Sequence, residues 1–405
     1  MPKPKNEAQI IDSNGNIIKK VETQFNNSTL LASVVFDMVS LNNAFDKSKK
    51  DTKGFKTVKT NIPEMSGAKA YEIVLPVGFL TSGDGSKIVQ IQTGLGDINV
   101  PGNLLTTKDI AGAQNVSLII TLVDKSNLDR KIQNQIGSRP IIQLSIKIDG
   151  KQIPLYNLNT PIIVVLPYTS TVMELVATEH IVVYHIDDKG NVISVPNGRY
   201  DPATGTVIFS TGYLGRYAIG YVHKTFSDLG SVEWARKAIE VMASKGIING
   251  TGINIYSPTV KIIKADFLVL LTKTLGLTAE FKDNFVDVAP DVYYYEAVGI
   301  ARKLGIVTSE NNLFNYEESI SRQDMALLTV KALENLGKLN TEVDTSVLEK
   351  FKDKREIADY ALESMAKLVK EGLLAGSENK LYPRTPATRA EVAAFLYRIY
   401  NNYSY

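Results

Sequence analysis

The alternation of apolar and polar residues changes character once along the chain, near residue 223. Over residues 10–223 apolar positions recur every second place in short runs broken by turn residues, the pattern of half-buried strands. Residues 9–11 and 17–18 flank Asp12-Ser13-Asn14-Gly15-Asn16, which reads as strand, turn, strand. Comparable turns stand at Ser82-Gly83-Asp84-Gly85, Asp149-Gly150, Asp187-Asp188-Lys189-Gly190-Asn191 and Asp201-Pro202-Ala203-Thr204-Gly205. Residues 162–166 are apolar throughout, like a strand with neighbours on both sides. Many short strands between turns predict an all-β sandwich, divisible into sub-modules 1–139 and 140–223 with a seam at 116–142. One short helix is expected around 127–136. Beyond residue 223 the period becomes helical: Trp234, Ala235, Ala238, Ile239, Met242 and Ala243 share one face of a helix.

The helical half repeats three times. Its copies open on Phe226-Ser227-Asp228, Phe285-Val286-Asp287 and Phe351-Lys352-Asp353, 59 and 66 residues apart, a spacing of tandem supersecondary units. The predicted boundaries are 224–279, 280–344 and 345–405. Trp234, Tyr293 and Tyr360 each stand 12 residues before Gly246, Gly305 and Gly372. The aromatic opens a helix, and the glycine ends it in the left-handed conformation, with Ile247, Ile306 or Leu373 folding back on the last turn. A turn-rich connector follows, Tyr256-Ser257-Pro258, Phe314-Asn315-Tyr316 or Tyr382-Pro383-Arg384, and then a second helix begins. Ser321-Arg322-Gln323-Asp324 and Thr388-Arg389-Ala390-Glu391 carry a capping hydroxyl with an acid three residues on. Ile263-Lys264-Ala265-Asp266 has no hydroxyl, so the cap of copy one is expected to be missing.

Second place in each of these helix starts holds a cation, Lys264, Arg322 or Arg389. A helix N-terminus bears about half a positive charge, so a cation there is disfavoured by roughly 0.3–1 kcal/mol. Its recurrence points to an anion site, in which the cation and free backbone N–H groups hold a carboxylate or phosphate. Pairing with the copy's own acid, or solvation, is the alternative. The aromatics carry two readings, as plugs of the helix core or as platforms under a sugar ring. The Asp of each Phe-x-Asp either caps the first helix or accepts sugar hydroxyls.

Phe-x-Asp, the aromatic-led helix, the Gly-Ile step and Thr-Arg-Ala-Glu together resemble the S-layer homology domain over about 226–405, with copy three matching best. The resemblance implies an all-α pseudo-trimer of three tandem copies whose grooves bind secondary cell-wall polysaccharide, often through the carboxylate of a pyruvate ketal. It implies ligand contacts from Asp228, Asp287 and Asp353, and from the aromatics Trp234, Tyr293 and Tyr360. Further contacts fall to Lys264, Arg322, Arg389 and Glu391, and to Gly250 and Gly376. Copy one, with Lys in place of Arg and no cap, is expected to be the weakest site. Residues 179–224 resemble more loosely a β module that precedes such repeats in clostridial surface proteins.

Composition narrows the function. The chain of 405 residues suffices for two or three buried cores, and a net charge of +2 gives no global field for nucleic acid. No apolar run approaches the ~20 residues of a membrane span, so no membrane insertion is expected. Cysteine is absent, which excludes disulfides, thiolate metal sites and Cys nucleophiles. His180 and His185, five apart in a predicted strand, point to opposite faces, and the acidic turns lack the final Glu of a calcium loop. No cofactor or metal is expected. No Gly-x-Ser-x-Gly, P-loop or paired-acid motif supports an enzyme. The start at Met1-Pro2-Lys3 lacks an apolar leader, and the chain is expected to be a fragment of a longer secreted precursor. The leading expectation is a non-enzymatic surface or S-layer protein held to the wall by its repeats, with self-association in a lattice. The alternative is the anchored fragment of a surface enzyme or adhesin whose β module contacts an extracellular glycan.

Overall fold

The structure is a computed structural model that describes residues 6–83, 85–106, 110, 112–155, 157, 160–339 and 342–403. Asp84 of the turn expected at 82–85, and the first five residues, lie outside the described residues. The chain divides into two compact units, Met1–Val222 and His223–Tyr405.

In the first unit, strands such as Ala70–Pro76 and Thr206–Thr211 bury every second side chain, so each presents one apolar face. They assemble into two sheets. One runs Arg199–Asp201, Thr206–Thr211, Ile162–Pro167, Gly96–Pro101, Lys87–Thr93, Lys56–Asn61, Glu7–Ile11, Ile17–Glu22. The other runs Val192–Val195, Ile181–Ile186, Arg216–Tyr221, Ile141–Ile148, Asn115–Leu122, Ala70–Pro76, Leu31–Val35, Gln24–Asn26. Both feed one apolar core that reaches from Ala8 and Ile10 to Phe209 and Ile219. Residues before 140 form one block of each sheet and later residues the other. The blocks meet where Asn115–Leu122 pairs with Ile141–Ile148 and Gly96–Pro101 with Ile162–Pro167. The seam expected at 116–142 is thus a line inside continuous sheets, not a boundary between separate bodies, because an open edge there would leave a row of unpaired backbone groups.

Among the described residues two strand pairs are parallel, Leu31–Val35 with Ala70–Pro76 and Lys56–Asn61 with Lys87–Thr93. The first crossover carries the helix Met38–Lys47, which strand periodicity did not reveal. Asp37 caps it by accepting Ser40 N–H at 2.8 Å, and Leu41, Ala44 and Phe45 bury its inner face. The helix expected near 127–136 forms over Arg130–Ile136 behind the cap of Asp129. Asp12 accepts from Asn14 N–H at 2.8 Å and Asn16 N–H at 2.9 Å, and Asp187 from Lys189 at 2.9 Å and Asn191 at 2.7 Å. These bonds close the hairpin turns, the backbone role of such residues. The two histidines do not share a strand. His180 closes a short turn ahead of Ile181–Ile186 and lies edge-on to Tyr221, while His185, inside the strand, packs on Tyr213 and Tyr217. Burial holds the His185 imidazole below its ordinary pKa.

The second unit packs helices Arg236–Ser244, Lys264–Leu275, Tyr295–Lys303, Arg322–Asn335, Asp359–Lys370 and Arg389–Tyr403 around one core. Gly246, Gly305 and Gly372 take φ of 74°, 68° and 69°. Behind them, Ile247, Ile306 and Leu373 donate five residues back to the carbonyls of Met242, Ala301 and Leu368 at 3.0, 2.9 and 2.9 Å, and their side chains are buried. Trp234 departs from the predicted stripe. Ala235, Ala238, Ile239, Met242 and Ala243 are buried, but Trp234 sits in a 3-10 turn ahead of the helix and is 64% exposed.

Candidate functional site

The connectors of the three segments expected from the sequence as copies, 224–279, 280–344 and 345–405, meet inside the helical unit. Ile262 N–H donates to Ala387 at 3.0 Å, Ala387 to Ile320 at 2.9 Å, and Ile320 to Ile262 at 3.1 Å, a closed ring of backbone bonds among buried residues. The ring sets the second helix of each copy against the connector of another, one on two, two on three, three on one. Lys264 N–H reaches Glu318 O at 2.8 Å, Arg322 N–H reaches Thr385 O at 3.2 Å, and Arg389 N–H reaches Val260 O at 2.9 Å. The next N–H groups, of Ala265, Gln323 and Ala390, reach Tyr316, Pro383 and Pro258. The first two helix-start donors of each copy, which the sequence suggested were free for an anion, are therefore committed to carbonyls of the neighbouring copy.

Each Phe-x-Asp carboxylate grips a connector of its own copy. Asp228 accepts from Tyr256 and Ser257 at 2.9 and 2.7 Å, and Asp287 from Phe314 and Asn315 at 2.8 Å each. Asp353 accepts from Leu381 at 2.9 Å and Tyr382 at 2.7 Å. The gripped residues Ser257, Asn315 and Tyr382 have φ of 58°, 57° and 53°. A non-glycine residue in that region costs on the order of 1 kcal/mol or more, and two bonds to a charged acceptor offset it. The readings from the sequence, helix cap or sugar acceptor, did not anticipate this connector grip. It also aligns Leu381-Tyr382-Pro383 with the other connectors, one residue earlier than the sequence reading.

The three cations reach across copies. Lys264 Nζ donates to Phe314 O at 2.8 Å and lies 4.8 Å from the centre of that ring. Arg389 donates to Tyr256 O at 2.9 Å and Asn249 O at 2.6 Å, over the Tyr256 ring. Arg322 donates to Leu381 O at 2.8 Å and Ala375 O at 3.3 Å, and meets Glu391 at 3.3 Å. Each connector thus has its N–H groups held by its own Asp and a carbonyl held by the preceding copy's cation.

The acids of the second helices hold aromatics from other copies. Tyr293 donates to Asp266, and Tyr360 donates to Asp324 at 2.8 Å while accepting from Gln323 at 2.9 Å. Burial, together with Asp324, pushes the Tyr360 phenol up to about 12. Tyr293 is 68% and Tyr360 57% exposed, so neither ring plugs the core. Glu391 instead closes a capping box with Thr388, accepting its N–H at 2.7 Å and supporting a return bond of 3.2 Å. Ile263, as the sequence indicated, supplies no side-chain cap. Gly250 and Gly376 are needed for close packing. An added Cβ would stand 2.8 Å from the ring of Phe226 or Phe351, and 2.5 or 2.3 Å from a connector carbonyl.

A groove of about 350 Å³ opens among these parts, within the range of small-ligand sites. Lys264 of copy one, Asp324 and Lys331 of copy two, and Tyr360 of copy three line it, with Ile306, Val307, Thr308 and Glu318. The site is therefore not contained in any one copy. Lys331 was not anticipated, although the signal was present. A cation stands seven residues after the acid in each copy, Lys273 after Asp266, Lys331 after Asp324 and Arg398 after Glu391, two turns along one helix face. Among the described residues no group of three or more His, Asp or Glu is placed to hold a metal, and no helix is long and apolar enough to cross a membrane.

The family model of the S-layer homology domain matches residues 225–268 and 350–393. An amylopullulanase of Thermoanaerobacterium thermosulfurigenes is 27% identical over 320 residues, 78% of this chain and 16% of the relative. That match is longer than the helical unit and so extends into the β unit. The exoglucanase XynX of Acetivibrio thermocellus is 31% identical over 175 residues, 43% of this chain and 16% of the relative. The S-layer protein sap of Bacillus anthracis is 27% identical over 175 residues, 43% of this chain and 21% of the relative. The chain spans 21% or less of the length of each of these three relatives.

Proposed function

Because this is an S-layer homology domain protein of the cell surface, we propose that its helical unit binds secondary cell-wall polysaccharide non-covalently and that the chain itself is not an enzyme. In this reading residues 280–344 are a third copy of the domain, and the three form a pseudo-threefold body. The middle segment has the Asp grip, the cation, the acid and the aromatic of its neighbours. The β unit, read as a sandwich, is the part held at the surface, and contacts between β units in a lattice belong to the same proposal.

The observation that carries this reading is the groove lined by Lys264, Asp324, Lys331 and Tyr360. Its ammonium groups are donors for a sugar carboxylate such as a pyruvate ketal. The exposed face of Tyr360, with its hydroxyl tied to Asp324, offers a fixed surface for a sugar ring. An exoglucanase and an S-layer protein each match over 175 residues, 43% of the chain, so these matches do not favour the alternative in which the β unit processes a glycan.

The test is sedimentation of the purified chain with bacterial cell-wall sacculi before and after hydrofluoric acid removes the secondary polymer. Binding that disappears on extraction is expected. Equal binding to extracted sacculi would shift the target to peptidoglycan or protein.

A further inference from the structure

We infer that the β unit pairs with a second copy of itself through the edge strand Val192–Val195, about a two-fold axis at Ile193. This rests on the part of the reading above that places contacts between β units at the surface, and it names the contact and its closure.

The edge strands of the two sheets differ in what protects them. Among the described residues, Gln24–Asn26, Lys151–Ile153 and Arg199–Asp201 are three residues long, too short to template a partner. Ile17–Glu22 is longer but carries exposed Lys19, Lys20 and Glu22, charges of the kind that keep an edge from pairing. Val192–Val195 has no charged residue, ends its sheet and, among the described residues, pairs with Ile181–Ile186 alone. The register sets which of its backbone groups are open. Asp187 N–H donates to Asn191 O at 3.1 Å, so by the alternation of an antiparallel ladder Ile193 and Val195 exchange bonds with the neighbouring strand. The N–H and C=O of Val192 and Ser194 then point to the open side.

Those groups complement themselves. A two-fold rotation sets Val192 opposite Ser194 of the second copy and Ser194 opposite its Val192. Each of these pairs exchanges two bonds, and Ile193 meets its own counterpart in the narrow pair between them.

The same margin carries apolar surface. In the helix Val172–Val176 the charged residue, Glu174, turns inward to Arg139, Tyr168 and the capping Thr171, while Val172, Met173, Leu175 and Val176 are between 52% and 86% exposed. Ser170 meets the Tyr200 hydroxyl at 3.0 Å and Tyr168 lies edge-on to the Tyr200 ring, which sets this helix beside Arg199–Asp201, the strand following Val192–Val195. Four such side chains make a patch of a few hundred Å² with no exposed charge for a polar partner to pair with. That is less than the ~800 Å² per partner of a stable complex. The contact is therefore weak between free chains and suits copies tethered side by side, where effective concentration is high. Being isologous it closes at two, so it joins wall anchors in pairs.

The chain has no cysteine, so Ile193→Cys introduces a single thiol. Cα atoms of a narrow antiparallel pair stand about 4.5 Å apart, within disulfide reach. Ile17→Cys, on the charged edge, is the control, since Ile17 and Ile193 are both 50% exposed. Under mild oxidation the full chain carrying Ile193→Cys is expected to form a covalent dimer about tenfold faster than the control. Sedimentation velocity of the unmodified chain should show monomer and dimer, with no larger species, as concentration rises. Ser194→Pro removes an open-side donor while sparing the ladder, and Val176→Lys charges the helix; each should weaken the dimer about tenfold or more. Equal oxidation rates, a series of larger species, or unchanged dimerisation in either variant overturns the inference. A chain that stays monomeric at every concentration and does not cross-link overturns it too and leaves the edge to another partner. If that monomer sediments with sacculi, the wall-polymer reading stands. A chain that dimerises through Ile193 but ignores sacculi keeps the inference and overturns that reading.

Discussion

Asp353 holds the connector of copy three through two backbone N–H groups, and replacing it by Ala tests what that grip contributes. The change removes the acceptor of Leu381 N–H at 2.9 Å and Tyr382 N–H at 2.7 Å. Asp353 is 4% exposed and Leu381 fully buried, so water does not replace the carboxylate. The buried Leu381 N–H left unpaired costs about 1–3 kcal/mol, and Tyr382, 37% exposed, adds a smaller share, for about 3 kcal/mol in all. Tyr382, at φ 53°, also loses what holds it in the left-handed region. The effect spreads beyond copy three, because Leu381 O receives Arg322 Nε from copy two at 2.8 Å. In a unit of this size each kcal/mol moves the midpoint by about 2–4 °C, so the Asp353→Ala transition should fall by roughly 10 °C as one event. Asp353→Asn keeps one acceptor oxygen and should lie between the two. Scanning calorimetry of the full chain reads this directly. An Asp353→Ala midpoint within about 2 °C of the wild type, or a separate early transition for copy three, would refute the reasoning.

Two further outcomes follow from the rest of the chain. In the β unit, burial opposes the charge of Glu174, but hydrogen bonds from Arg139, Thr171 and Tyr168 outweigh it and hold the carboxyl at about 2 against 4.5. Since the folded pKa lies below the unfolded one, that stabilisation is complete above about pH 4.5 and is lost as pH falls through about 2. Glu174→Gln should flatten the acid loss in urea midpoints over this window without abolishing it, because Asp37, hydrogen-bonded by Lys19, also titrates at about 2; a slope parallel to the wild type would contradict this. Trp234, the single tryptophan of the chain, is 64% exposed, so emission should be red-shifted and readily quenched by iodide, and a blue-shifted, protected spectrum would place it in the core instead.

Much of this protein was legible in one dimension. The change from alternation to helical period marks where the strand-rich unit gives way to the helical one, because apolar side chains must face a core with the periodicity of the backbone that carries them. Gly246, Gly305 and Gly372, the cap of Thr388 with Glu391, and the missing cap at Ile263 were likewise readable, since a helix end is a local arrangement of a few neighbouring residues. The helix Met38–Lys47 was not, as its short apolar face is embedded among strands of the same residues. Tertiary structure alone decided what the repeated residues touch. Lys264, Lys331 and Tyr360 belong to three different copies and line one groove, and the Asp of each Phe-x-Asp turned out to hold a connector about 28 residues away. The physical reason is the ring of bonds through Ile262, Ile320 and Ala387, which sets each copy against the next. Sequence repetition fixes what every copy contains, whereas a cyclic arrangement exchanges those parts between copies, and the exchange leaves no trace in the spacing of any one of them.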